Sequence, residues 1–160
     1  RQLADWEQEK DGLVIPGGES TTQLRLLKDL GLLEPVRDYI NGGGAVFGTC
    51  AGLIQLAKKV RGEDFARIST MDIEVCRNAY GRQLGSFFTE AEMEGIGKVP
   101  MTFIRAPYIE QVHGDAKVLA VVDGRIVAAR QGRQLVTAFH PELCDDTRVH
   151  EYFLHDVVGK

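Results

Sequence analysis

The chain has 160 residues, 44% of them hydrophobic, which is enough for one domain with a substantial core. Its 19 basic and 23 acidic residues leave a net charge of -4 with no long block of either sign, so neither a nucleic-acid nor a membrane surface is indicated. No apolar run approaches membrane-spanning length and no charged-then-apolar leader opens the chain, so a soluble cytoplasmic protein is expected.

Residues 1–10 are polar and read as the approach to a strand; because the chain opens on Arg1, a preceding βα unit would place roughly 30 further residues ahead of it. Leu13-Val14-Ile15, bounded by Gly12 and Pro16-Gly17-Gly18, reads as a buried parallel strand. A helix follows at once. Ser20 is its expected N-cap with Gln23 reaching back as a capping box, Leu24, Leu27 and Leu30 form its apolar face, and Gly31 stops it. A shorter helix is expected over 35–40, then a strand at 45–47 and a helix over 53–59. Period-two alternation marks a strand at 71–75, and 86–88 and 101–104 are further strand candidates. Residues 117–122, 125–130 and 134–139 read as consecutive strands, turning at Asp123-Gly124 and Gln131-Gly132. A helix over 147–158 closes the order, with Val149, Phe153 and Val157 on one face. Alternating strands and helices followed by a meander indicate an α/β sheet with an antiparallel extension, and residues 1–160 read as a single domain.

Three segments carry chemistry, each at the C-terminal end of an expected strand, the edge where open α/β sheets build their sites. Gly48-Thr49-Cys50-Ala51-Gly52 is a nucleophile elbow with sulfur in place of oxygen: glycines flank a strained residue where chain segments approach closely. The Cys50 thiol is expected to be exposed at a helix N-terminus, with its pKa lowered by the helix dipole. The plainer alternative is a small apolar residue in a glycine-rich turn. His140-Pro141-Glu142 places a base and a carboxylate two residues apart, so that both can share one face, the pairing an amide-cleaving thiol needs; the alternative is a solvated pair at a strand end. Pro16-Gly17-Gly18-Glu19-Ser20 leaves backbone N–H groups unshielded at a helix N-terminus, which suits a developing oxyanion. Cys50, Cys76 and Cys144 fit neither a disulfide framework nor a C-x-x-C site, and the four histidines lack ligand spacing, so reduced thiols and no metal are expected.

Together these segments resemble the class I, or triad, glutamine amidotransferases. The likeness is closer to one branch, the glutaminase subunits of pyridoxal 5'-phosphate synthase, through Pro-Gly-Gly-Glu-Ser-Thr-Thr at 16–22, Phe-Gly-Thr-Cys-Ala-Gly-Leu at 47–53, Arg-Asn-Ala-Tyr-Gly-Arg-Gln at 77–83, Phe-Ile-Arg-Ala-Pro at 103–107 and Phe-His-Pro-Glu-Leu at 139–143. The elbow and the His-Pro-Glu are shared across the class; the 77–83 and 103–107 segments point to the vitamin B6 branch. The resemblance implies a flavodoxin-like, three-layer, open and mostly parallel sheet flanked by helices, with a further βα unit ahead of this sequence. It implies a Cys50 nucleophile completed by His140 and Glu142. It also implies glutamine binding by Gly18, Glu19, Ser20, Arg77, Ile104 and Arg105, an oxyanion held near Gly18 and Ala51, and no metal or organic cofactor. Glutamine would be cleaved through a thioester, and the ammonia passed to a TIM-barrel synthase. Read from the residues alone, Arg77 and Arg105 are surface charges and Ile104 is core. The competing functions are the glutaminase of another branch such as histidine biosynthesis, a non-catalytic binding module of the same fold, and a cysteine peptidase.

Overall fold

A computed structural model of the chain describes residues 11–63, 65–77, 86–104 and 106–159. The strand approach at 1–10, most of the 77–83 segment and Arg105 lie outside them. In chain order the elements are β1 (Leu13–Ile15), α1 (Ser20–Asp29), α2 (Leu33–Asn41), β2 (Val46–Thr49), α3 (Ala51–Leu56), β3 (Ala57–Val60), β4 (Met71–Cys76), β5 (Ser86–Met93), β6 (Gly97–Ile104), β7 (Tyr108–Val112), β8 (Lys117–Val122), β9 (Arg125–Gln131), β10 (Gln134–Thr137), a 3-10 turn (Pro141–Leu143) and α4 (Arg148–Tyr152), which continues as a π-helical segment (Phe153–Val158). No helix among the described residues is long and apolar enough to cross a membrane.

The main sheet runs β1-β2-β10-β9-β7-β4-β3, with β8 on β9. It is mixed: β1, β2 and β10 are parallel, the strands from β10 through β9 and β7 to β4 are joined antiparallel, and β3 returns parallel to β4. Register aligns three strand ends, pairing Ile15 with Gly48 and Thr49 with Thr137. The three segments that follow β1, β2 and β10 therefore leave the sheet at one edge, as their sequences indicate. Every residue of β2 is buried, as expected of a strand covered on both faces. In β4 the inward residues are Met71, Ile73 and Val75, matching the period-two reading.

β5 and β6 form a separate hairpin. It docks on the sheet through Phe103, which stacks on Phe87 at 4.5 Å and meets the edge of Phe139 at 5.9 Å, just before His140. At the C-terminal end, Val149, Phe153 and Val157 are buried as expected, and Phe153 packs on Phe47 at 5.4 Å. Arg133 caps that segment, donating to the carbonyls of Val157 and Val158 at 3.1 and 2.6 Å.

Three local expectations are corrected. The helix over 53–59 ends at Leu56, and Ala57–Val60 is a strand beside β4. Ala57 and Val60 are buried while Lys58 and Lys59 reach across to Asp72 and Glu74, so tertiary partners override the local helical pattern. β7 was not foreseen, because Tyr108–Val112 mixes apolar and polar residues without a clear alternation. The N-cap of α1 is Glu19 rather than Ser20: its carboxylate accepts from the N–H groups of Thr21 and Thr22, both at 2.9 Å. Gln23 accordingly does not close a capping box but donates to the Pro16 carbonyl at 2.9 Å.

Candidate active site

Leaving β2, the chain turns so sharply that Cys50 takes φ 53°, a left-handed conformation few non-glycine residues adopt. The turn is held from both sides. The Cys50 N–H donates to Thr137 O at 2.8 Å, tying the elbow to β10, and the Cys50 carbonyl accepts from Ile54 N at 3.3 Å as α3 begins. The flanking glycines serve close approach: a Cβ on Gly48 would lie 2.8 Å from the backbone of Gly52, and one on Gly52 would overlap the carbonyl oxygen of Ile15. α3 can press onto the end of β1 only because both side chains are absent.

The thiol itself departs from expectation. Cys50 is 8% exposed, and burial pushes its pKa up to about 11, outweighing the Ala51 N–H that favours the thiolate; the Glu142 charge pushes in the same direction as burial. A six-residue helix contributes too little dipole to reverse this. Sγ points toward the Ile104 carbonyl at 4.0 Å.

His140 and Glu142 do meet, but through a turn and not on one face of an extended segment. His140 is extended, its N–H donating to Thr102 O at 2.8 Å, and Pro141 then opens the 3-10 turn that brings Glu142 back. Nδ1 of His140 and Oε2 of Glu142 are 2.8 Å apart. The imidazole lies against Gly17, where a Cβ would sit 2.5 Å from the ring.

A pocket of about 320 Å3 opens beside the cysteine, at the small end of the range for small-molecule sites. Gly18, Glu19, Ser20, Cys50, Ala51 and Arg77 line it, six residues marked out in the sequence, together with Pro107, which ends the 103–107 segment but was given no role, and Ile54, which was not singled out. Ser20 Oγ is buried with no hydrogen-bond partner among the described residues. The Glu19 carboxylate is held at a pKa of about 2 by N–H groups of α1 and the Thr22 hydroxyl. Arg77 reaches Glu19 at 3.8 Å and Glu63 at 2.6 Å. The Ile104 carbonyl is the group that meets Sγ of Cys50, the residue itself is exposed rather than core as the residues alone suggested, and Arg105 lies outside the described residues. His140 and Glu142 are not among the residues that line the pocket. The Gln55 side chain, fully buried, donates to Ser20 O at 2.6 Å and pins the loop after β1 to α3; nothing in its helical setting marked it.

Comparison with known proteins bears on the family and the fold. The model of the SNO glutamine amidotransferase family matches residues 2–159. A pyridoxal 5'-phosphate synthase subunit PdxT from Streptococcus pneumoniae (strain CGSP14) is 55% identical over 157 residues, covering 96% of this chain and 81% of that protein. The subunit of the same name from S. pneumoniae serotype 2 is 53% identical over 158 residues, covering 97% and 82%. A crystal structure of a glutamine amidotransferase superposes with a TM-score of 0.93 at 40% identity, covering all of this chain and 85% of that one. A putative GMP synthase component from Thermoplasma acidophilum shares the fold at 18% identity, with a TM-score of 0.60 over 98% of this chain and 75% of its own.

Proposed function

The chain belongs to the SNO glutamine amidotransferase family, and we infer that it is the glutaminase subunit of a pyridoxal 5'-phosphate synthase, hydrolysing L-glutamine to glutamate and ammonia and feeding the ammonia to a synthase partner for vitamin B6 biosynthesis. The observation that carries the site assignment is the alignment of two strand ends. A cysteine at positive φ follows β2, a hydrogen-bonded His–Glu pair follows the adjacent parallel β10, and the cysteine faces a pocket that holds a guanidinium.

In this reading Cys50 is the nucleophile. His140 removes the thiol proton as sulfur attacks the side-chain amide carbon of glutamine, and Glu142 holds the imidazole tautomer and stabilises its cation. The thiol pKa of about 11 makes that proton transfer indispensable, because burial keeps the thiolate scarce at neutral pH. Backbone N–H groups near Gly18 and at Ala51 receive the oxyanion. His140 then protonates the departing nitrogen, ammonia leaves, and a glutamyl thioester remains. Water, deprotonated by His140, cleaves the thioester to glutamate and restores the thiol. Gly18, Glu19, Ser20, Arg77, the Ile104 backbone and Arg105 are assigned to glutamine.

Ammonia released into neutral water becomes ammonium and is no longer a nucleophile, so a protected route to the partner is required. We assign a TIM-barrel fold to the partner and one amidotransferase domain to residues 1–160. A cytoplasmic setting is consistent with the three unbridged cysteines. The test is glutamate release with saturating synthase, for the parent and for Cys50→Ala. Loss of release in the variant is expected; equal rates would remove the assignment of Cys50.

A further inference from the structure

Arg77 does not stand alone at the pocket. Its Nη1 is 2.6 Å from Glu63 Oε2, while the other oxygen of the same carboxylate is 2.7 Å from Nη2 of Arg67. One carboxylate thus bridges two guanidinium groups, and only the Arg77 side of the bridge lines the pocket beside Cys50.

The far side is the buried one. Arg67 is 1% exposed, its guanidinium lies 5.0 Å from the ring centre of Phe65, and its N–H donates to Ser69 Oγ at 3.0 Å. Arg37 of α2 donates to the carbonyls of both Arg67 and Ile68. A long side chain free to rotate loses much entropy on binding, and one already held by a charged partner loses less. Glu63 is mostly buried; the bonds and charges of both arginines outweigh that burial and keep its carboxyl below the ordinary range, so it is anionic at neutral pH.

Charge makes the second arginine necessary. A lone Glu63 would neutralise Arg77 and leave it little attraction for an anion. With Arg67 sharing the carboxylate, the group of three keeps one net positive charge; the ionised Glu19 carboxylate, 3.8 Å from Nη2 of Arg77, offsets it through a loose contact, whereas without Arg67 the two carboxylates would leave the cluster net negative. Glutamine offers one anionic group, its α-carboxylate.

We propose that Glu63 is a positioning residue for substrate recognition: buttressed by buried Arg67, it aims the Arg77 guanidinium at the α-carboxylate of glutamine. This rests on the reading of Arg77 as a substrate contact given above.

The test is steady-state glutaminase kinetics of the chain in complex with its synthase, for the parent, Glu63→Gln and Arg77→Ala. Two substrates are compared: L-glutamine and L-glutaminamide, whose α-carboxylate is replaced by a neutral amide. Glu63→Gln is expected to raise KM for glutamine about tenfold, the scale of one charge-assisted hydrogen bond, with kcat within about threefold of the parent. Its kcat/KM for glutaminamide stays near the parent value. Equal losses on both substrates, or an unchanged KM for glutamine, would overturn the proposal. An unchanged KM in Arg77→Ala would instead overturn the preceding assignment of Arg77, and the two failures are read from different variants. If Glu63→Gln loses its cooperative melt, Glu63→Asp is read by the same comparison, since it retains the charge but is one methylene too short to bridge both arginines.

Discussion

The buried thiol makes a quantitative prediction about reactivity. Raising the Cys50 pKa from an ordinary 9.0 to about 11 leaves about 100-fold less thiolate, roughly 0.03% at pH 7.5. A more basic thiolate is intrinsically more nucleophilic, which restores roughly tenfold, so the net slowing at pH 7.5 is about tenfold beyond any effect of access. The position of the plateau is the sharper measure. Iodoacetamide labelling of the isolated chain, followed peptide by peptide to separate Cys50 from Cys76 and Cys144, should give a Cys50 rate that rises about tenfold per pH unit without levelling below pH 10. The same peptide in the urea-unfolded chain should level near pH 9. A plateau at or below pH 8 in the folded chain would refute the reasoning, since it would mean that His140 or the helix already stabilises the thiolate. The sign carries over to stability. An acid whose pKa rises on folding stays protonated while the unfolded chain ionises, so stability falls as pH climbs from 9 toward 11, by up to roughly 3 kcal/mol.

Glu142→Gln should lower kcat roughly 100-fold with little change in KM, less than the loss seen when a fully buried triad carboxylate is replaced, because Glu142 is 45% exposed and solvent takes over part of its role. Gly52→Ala should cost about 1–3 kcal/mol, read as a melting temperature about 3–10 °C lower, because the methyl group meets the backbone of Ile15 and cannot be relieved by a rotamer change. Arg37→Met should lower the melting temperature by about 5 °C, since it strips the donors from the carbonyls of Arg67 and Ile68.

What was legible in the sequence were constraints that a short stretch of backbone imposes on itself. Gly48 and Gly52 announce the elbow because only their missing side chains let α3 meet β1, and His140-Pro141-Glu142 announces its hydrogen-bonded pair because the proline turn is local. The three apolar runs ending in these segments placed the site at strand C-termini; that β10 also lies parallel beside β2, and does not only continue the antiparallel meander, comes from pairing across the sheet. Residues 57–59 depart from the expected helix for the opposite reason: what makes them strand is the pairing with β4 and the burial of Ala57 and Val60, with partners more than a dozen residues further on. The protonation state of Cys50 was misjudged in the same way. A dipole can be argued from the helix that follows the thiol, whereas desolvation depends on everything packed around it, and here burial wins.

Glu63 marks the limit of a local reading. In sequence it is one acidic residue in a polar turn, with no spacing that ties it to Arg77, fourteen positions away. Its meaning comes from a third residue, since only the burial of Arg67 turns an ordinary ion pair into a bridge that leaves Arg77 its charge. Substrate recognition here therefore depends on a residue outside the pocket and outside every segment by which the family is recognised. A chain that kept all five of those segments but replaced Glu63 with a neutral residue would still be read as a glutaminase, yet should bind glutamine more weakly unless another acid took over the bridge.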